Sequence, residues 1–164
     1  MNMLSTLATA IALCCASTAH AIEPGATAPD IALTGAQGPV SLAALKGKLV
    51  YVDFWASWCG PCRQSFPWMN SLQARYGAKG LQVLAVNLDA NRADADKFLA
   101  EVPARFAIGF DAQGDTPRRY SIKGMPTSVL IGADGHVIQV HSGFREEDRK
   151  GLEAAIDSAI ASAR

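Results

Sequence analysis

Residues 48–56 read KLVYVDFWA, a nearly unbroken run of Val, Leu and aromatic side chains between Gly47 and a Cys-x-x-Cys pair. A run so short, apolar and rich in β-branched and aromatic residues fits a strand buried on both faces. Such a strand needs layers above and below it and neighbours on either side, so the chain is committed to a layered α/β domain. Its 164 residues, 49% hydrophobic, suffice for one domain, and no internal repeat, low-complexity tract or long linker divides them.

The rest of the sequence supplies the partners this strand needs. Two short apolar pieces, residues 31–34 and 39–42, flank Gly35-Ala36-Gln37-Gly38 and read as a small hairpin or two extended segments. Residues 61–76 place Phe66, Met69 and Leu72 at helical spacing, with Gly77 as the expected stop. Residues 81–88 form the next strand, 91–102 a charged helix closed by Pro103, 105–111 a short strand and 115–120 a helical turn. Residues 127–131 and 137–140 are strands joined through Asp134-Gly135, a strong hairpin signal. Residues 146–163 carry Leu152, Ala155, Ile156, Ala159 and Ile160 on one helical face. The expected fold is a mixed central sheet with helices on both faces: a parallel βαβ start with right-handed crossover, and an antiparallel edge.

Fifteen basic and fifteen acidic side chains cancel, and this balance offers no footprint for nucleic acid or for polybasic membrane attachment. Residues 1–21 carry no Asp, Glu, Lys or Arg, run apolar from Leu4 to Ala16 and end in Ala19-His20-Ala21. That pattern reads as a secretory signal peptide cleaved after Ala21, leaving a single domain over residues 22–164. The apolar run is shorter than the roughly 20 residues needed to cross a bilayer, which disfavours an uncleaved anchor. Neither Cys14 nor Cys15 follows the small residue expected of a lipid-modified cysteine. Both therefore leave with the leader.

Cys59 and Cys62 remain, at the junction of the 48–56 strand and the helix after it. Two intervening residues bring the sulfurs within bonding reach and put the first at a helix N-terminus. There the free backbone N–H groups and the helix dipole favour a thiolate. Cys59 is thus the attacking thiolate and Cys62, one turn in, the resolving thiol. Pro61 sits early in the helix, where it deprives no carbonyl of a donor. A structural zinc site lacks further ligands at the usual spacing, and an inert disulfide closing so short a loop would stabilise little. Asp53, inside the apolar strand, must be hydrogen-bonded, protonated with a raised pKa, or reach water from a strand end.

Residues 52–62 (VDFWASWCGPC), Gly124-Met125-Pro126-Thr127 and the Asp-Gly hairpin after them resemble the thioredoxin superfamily. The opening residues 24–30 (PGATAPD) and 42–47 (LAALKG) resemble its exported TlpA/ResA-like branch. The resemblance implies a thioredoxin-like fold with an N-terminal extension. It further implies a cis peptide at Pro126 facing the disulfide and a Met125 backbone that pairs with an extended client segment. Trp58, Gly60, Pro61 and Thr127 would complete the client-binding rim, and Asp53 would take the proton of Cys62. Two departures stand out: Ser65 occupies a position that often holds glutamate in that branch, and residues 81–88 lack the lysine that accompanies the buried acid in thioredoxins.

The implied activity is that of an exported thiol:disulfide oxidoreductase, periplasmic and acting as a reductant. It needs no cofactor or metal beyond its own Cys59–Cys62 disulfide. Its partners would be cysteine-containing envelope proteins, cytochrome c biogenesis among their settings, and a membrane thiol-transporting reductant; the expected state is a monomer. A peroxiredoxin-like peroxidase is the enzymatic alternative, although Val52 and Ala56 stand where its ring and hydroxyl would be needed. A dithiol metal carrier or assembly chaperone is the non-enzymatic one, Cu(I) being suited to two thiolates. Arg118, Arg119 and the residues from Arg145 to Arg149 read as surface charges, His136 and His141 as exposed strand residues, and the run 89–96 (DANRADAD) as a solvated helix start.

Overall fold

The computed structural model describes residues 22–163, so the expected leader, with Cys14 and Cys15, lies outside the described residues. Seven strands are assigned: β1 (Ala32–Gly35), β2 (Gly38–Ser41), β3 (Leu49–Trp55), β4 (Leu81–Asn87), β5 (Ala107–Phe110), β6 (Thr127–Ile131) and β7 (Val137–Ser142). The helices are α1 (Gly60–Tyr76), α2 (Arg92–Glu101), α3 (Asp115–Arg119) and α4 (Asp148–Ser162). One sheet takes all the strands in the order β2-β1-β5-β4-β3-β6-β7. The β3–β4 and β4–β5 pairs are parallel and the others antiparallel. Both sheet edges are therefore antiparallel, where the sequence suggested one, because the front hairpin extends the sheet through Thr34 and Gly35 on β5.

Every residue of β3 is buried, as its composition demands. Its side chains alternate between two cores. Leu49, Tyr51 and Trp55 meet α1, α2 and α4, while Val50, Val52 and Phe54 meet Tyr120 at the end of α3, Val129 of β6 and the front segment. Helices cover both faces unequally, the three longer ones lying together on the Tyr51 face. Residues 25–28 close the other side by pairing with β7, Gly25 N–H donating to the Val137 carbonyl at 2.8 Å and Val137 N–H to Ala26 at 2.9 Å.

Helix α1 continues through Pro67, whose missing N–H leaves the Arg63 carbonyl without its helical donor. Burial of Phe66, Met69 and Leu72 on the sheet holds the helix together across that gap. Gly77 is still right-handed; a 3₁₀ turn (Gly77–Lys79) follows, and Gly80 at φ +100° reverses the chain into β4. Helix α1 thus ends at Tyr76 with Gly77 as its C-cap, the stop the sequence indicates, and the left-handed turn belongs to Gly80 after the 3₁₀ turn.

Candidate active site

The centre lies where β3 ends and α1 begins. Cys59 is the N-cap of α1, and its Sγ accepts the Cys62 N–H at 3.3 Å. The two cysteines are disulfide-bonded, with Cα atoms 5.3 Å apart. Cys59 keeps 5% of its surface exposed and Cys62 none, so a partner sulfur can approach only the first. When reduced, Cys59 has the first-turn N–H groups of α1 and the positive end of its dipole to favour the thiolate. Gly60 and Pro61 are exposed between the sulfurs. Ser65, one turn after Cys62, is buried and donates to the Cys62 carbonyl at 3.0 Å.

The rim beside Cys59 has one dominant side chain. Trp58 is 72% exposed, far more than a core aromatic would be. A cleft of about 290 Å³ beside it is lined by Arg63, Lys97, Phe98 and Glu101, with Arg63 and Glu101 paired at 3.0 Å across α1 and α2. The Met125–Pro126 bond is cis, and half-buried Met125 packs on the core cluster that contains both cysteines. The Pro126 carbonyl is taken by Gly143 N–H at 2.7 Å. Thr127 is buried and its hydroxyl donates to Gly124 at 2.7 Å, so this side chain braces the loop and does not face a client.

Asp53 is 2% exposed and its Oδ2 has no hydrogen-bond partner. By strand alternation it shares the face of Tyr51 and Trp55, beneath α1. Burial pushes its carboxyl well above the ordinary carboxylate range. Its burial excludes the strand-end carboxylate that reaches water and agrees with the expected raised pKa.

Sequence reading missed a second buried carboxylate. Asp89 is 5% exposed; its carboxylate accepts Ser57 N–H at 2.9 Å, Ser57 Oγ–H at 2.8 Å and Asn87 Nδ2 at 2.7 Å. It clamps the loop that carries Trp58 and Cys59, and is no part of a solvated helix start. The available signal was register: Trp55 pairs with Asn87, so Ser57 and Asp89 lie level, each two residues past the last pair. His141 is likewise not an exposed strand residue, since its side chain is only 25% exposed and its Nε2 is buried.

Comparison with known proteins agrees with this geometry. The Redoxin family model matches residues 23–156. The thiol-disulfide oxidoreductase ResA of Bacillus thuringiensis subsp. konkukian is 34% identical over 133 residues, covering 80% of this chain and 76% of the relative. The ResA of Geobacillus kaustophilus is also 34% identical, over 82% of this chain and 79% of its own. Among solved structures, one from Chlorobium tepidum assigned as a thiol:disulfide interchange protein DsbE superposes with a TM-score of 0.84 at 58% identity, covering 85% of this chain and 99% of that one.

Proposed function

The chain belongs to the Redoxin family and is a thiol-disulfide oxidoreductase of the ResA and DsbE type, and from that premise we propose that it reduces disulfides in proteins of the cell envelope. The observation that carries the reading is the position of Cys59 at the α1 N-cap, with Cys62 sealed behind it. The Cys59 thiolate attacks a client disulfide, a client–Cys59 mixed disulfide forms, and the first client thiolate leaves. Cys62 then attacks Cys59 Sγ, giving its proton to the Asp53 carboxylate, and the second client sulfur departs. Trp58 and the Met125-Pro126 loop hold the client, the Met125 backbone pairing with it as an added strand.

Residues 1–21 act in this account as an export signal cleaved after Ala21, which supports a periplasmic location. An oxidising compartment leaves the enzyme as its disulfide, so a membrane thiol-transporting donor restores the dithiol. Clients are recognised by apolar and backbone contacts, because the neutral chain has no bulk charge to steer them.

Two measurements test this reading. Cys62→Ser should trap clients as mixed disulfides, and Cys59→Ser should trap none and fail to reduce insulin. The reduction potential of the Cys59–Cys62 couple should lie near that of thioredoxin, about −270 mV; a value near about −120 mV, that of a strong periplasmic oxidant, would reverse the direction.

A further inference from the structure

Three polar side chains lie in a row across the sheet. Asp53 on β3 is directly opposite Ser128 on β6, and Ser128 is directly opposite His141 on β7. Directly opposed residues of antiparallel strands point to the same face, with Cβ atoms about 4.5–5.5 Å apart. Exposure rises along the row, from 2% at Asp53 and 4% at Ser128 to a side chain 25% exposed at His141. At its outer end His141 Nε2, buried and without a hydrogen bond, lies 3.3 Å from Asp148 Oδ2 at the start of α4, and the Asp148 side chain is 24% exposed.

Tyr51, two residues before Asp53 on the same face, hydrogen-bonds the Ser128 hydroxyl. Burial first, and then the charges of Asp53 and Asp148, push the Tyr51 phenol above its ordinary range. Tyr51, Ser128 and His141 line a common void with no space for a water, so only side chains can carry a proton there. The titratable groups beside His141 are Tyr51 from β3, across the shared void, and Asp148 from α4, with Asp53 beyond Ser128 on β3. Arg149, the next residue on α4, is engaged with Glu146 at 2.6 Å.

We propose that Ser128 and His141 form a proton route between Asp53 and solvent, with Tyr51 orienting the Ser128 hydroxyl and Asp148 the imidazole. The proposal rests on the reading of Asp53 as the base for Cys62. A sealed carboxyl with an unpartnered oxygen rests protonated, and it must lose that proton before it can accept another. The Asp53 proton passes to Ser128 Oγ as the Ser128 hydroxyl proton moves on to His141, and the imidazole gives up one proton toward Asp148 and water. One proton leaves, Asp53 ends as a carboxylate, and Ser128 and His141 end neutral, with the imidazole N–H moved to its other nitrogen and restored by a ring flip or by exchange with solvent. Imidazole suits this task because one ring nitrogen can accept while the other donates. Ser128 and His141 are positioning residues in this scheme, since neither touches the reacting sulfurs.

The test separates the two steps of client reduction by rapid mixing with a model disulfide. His141→Ala and Ser128→Ala should leave the first attack by Cys59 unchanged and slow the Cys62 resolving step about tenfold or more near neutral pH. Added imidazole should restore His141→Ala and not Ser128→Ala, a pattern that loss of packing would not produce. Resolution at the wild-type rate in both variants, with Asp53→Asn slowed, overturns the route and leaves the base in place. Resolution at the wild-type rate in Asp53→Asn overturns the reading on which the route rests.

Discussion

Asp53 and Asp111 are both buried aspartates, 2% and 5% exposed, yet their carboxyls are shifted in opposite directions. Burial raises both. At Asp111 that cost is outweighed by backbone N–H donors at the start of α3, Thr116 at 2.6 Å and Asp115 at 3.2 Å, and its carboxyl falls below the ordinary range. Asp53 Oδ2 has no such donor and burial alone decides its state. The difference shows that depth in the core does not fix a carboxyl's charge; the donors that reach it do. One carboxyl is shifted toward the anion by the donors it caps, and the other toward the neutral acid by burial beneath α1.

The largest effect expected from this contrast is on rate. Asp53→Asn removes the base without changing shape and should slow the resolving step about a hundredfold, leaving mixed disulfide to accumulate in a quenched-flow assay. Asp111→Ala should do the reverse, leaving client reduction intact while costing about 2–3 kcal/mol in chemical denaturation, because the buried first-turn N–H groups lose a charged acceptor.

The pH dependence of stability should separate the pair further. Asp53 has a folded pKa above its unfolded one, so its contribution is fully present below the unfolded pKa and is lost as pH rises toward the folded pKa. Measured against Asp53→Asn, the wild type should lose about 1.4 kcal/mol per pH unit across that window. Asp111 has a lowered folded pKa, so its contribution is present above the unfolded pKa and vanishes as pH falls through the folded one. Denaturation midpoints of each variant and the wild type across pH 3–9, a span of about 6 units, check both signs.

The smallest effect belongs to Asp89, which is buried like Asp53 but takes three donors from Ser57 and Asn87. Asp89→Asn should cost about 1 kcal/mol of stability and lower client reduction severalfold by loosening the Trp58 loop. A drop in rate as large as that of Asp53→Asn would erase the distinction between a clamp and a base.

Sequence alone reaches the parts of this molecule that local pattern determines. Strand β3 is legible because no other element fits its composition, and Cys59 and Cys62 because their spacing and place at a strand end belong together. The cis bond at Pro126 followed from the family resemblance, and Asp53 stood out as a charge in an apolar run. Ser128 did not stand out, and Asp89 and His141 read as surface residues, since nothing in their neighbours along the chain marks them as buried. Their roles come from register between strands far apart in sequence: Trp55 level with Asn87, Asp53 with Ser128, and Ser128 with His141. The stop of α1 at Gly77 was legible, whereas the left-handed turn at Gly80 was not, because only the backbone reveals which of two nearby glycines turns left-handed.

The central claim is that Asp53 rests as a neutral acid in a site that must move protons. Carbon-13 labelling of the aspartate carboxyls and an NMR titration of the oxidised protein read this directly. Asp53 should titrate at higher pH than the other resolved aspartates, with Asp111 below the ordinary range. An Asp53 resonance that titrates in or below the ordinary aspartate range would contradict the account.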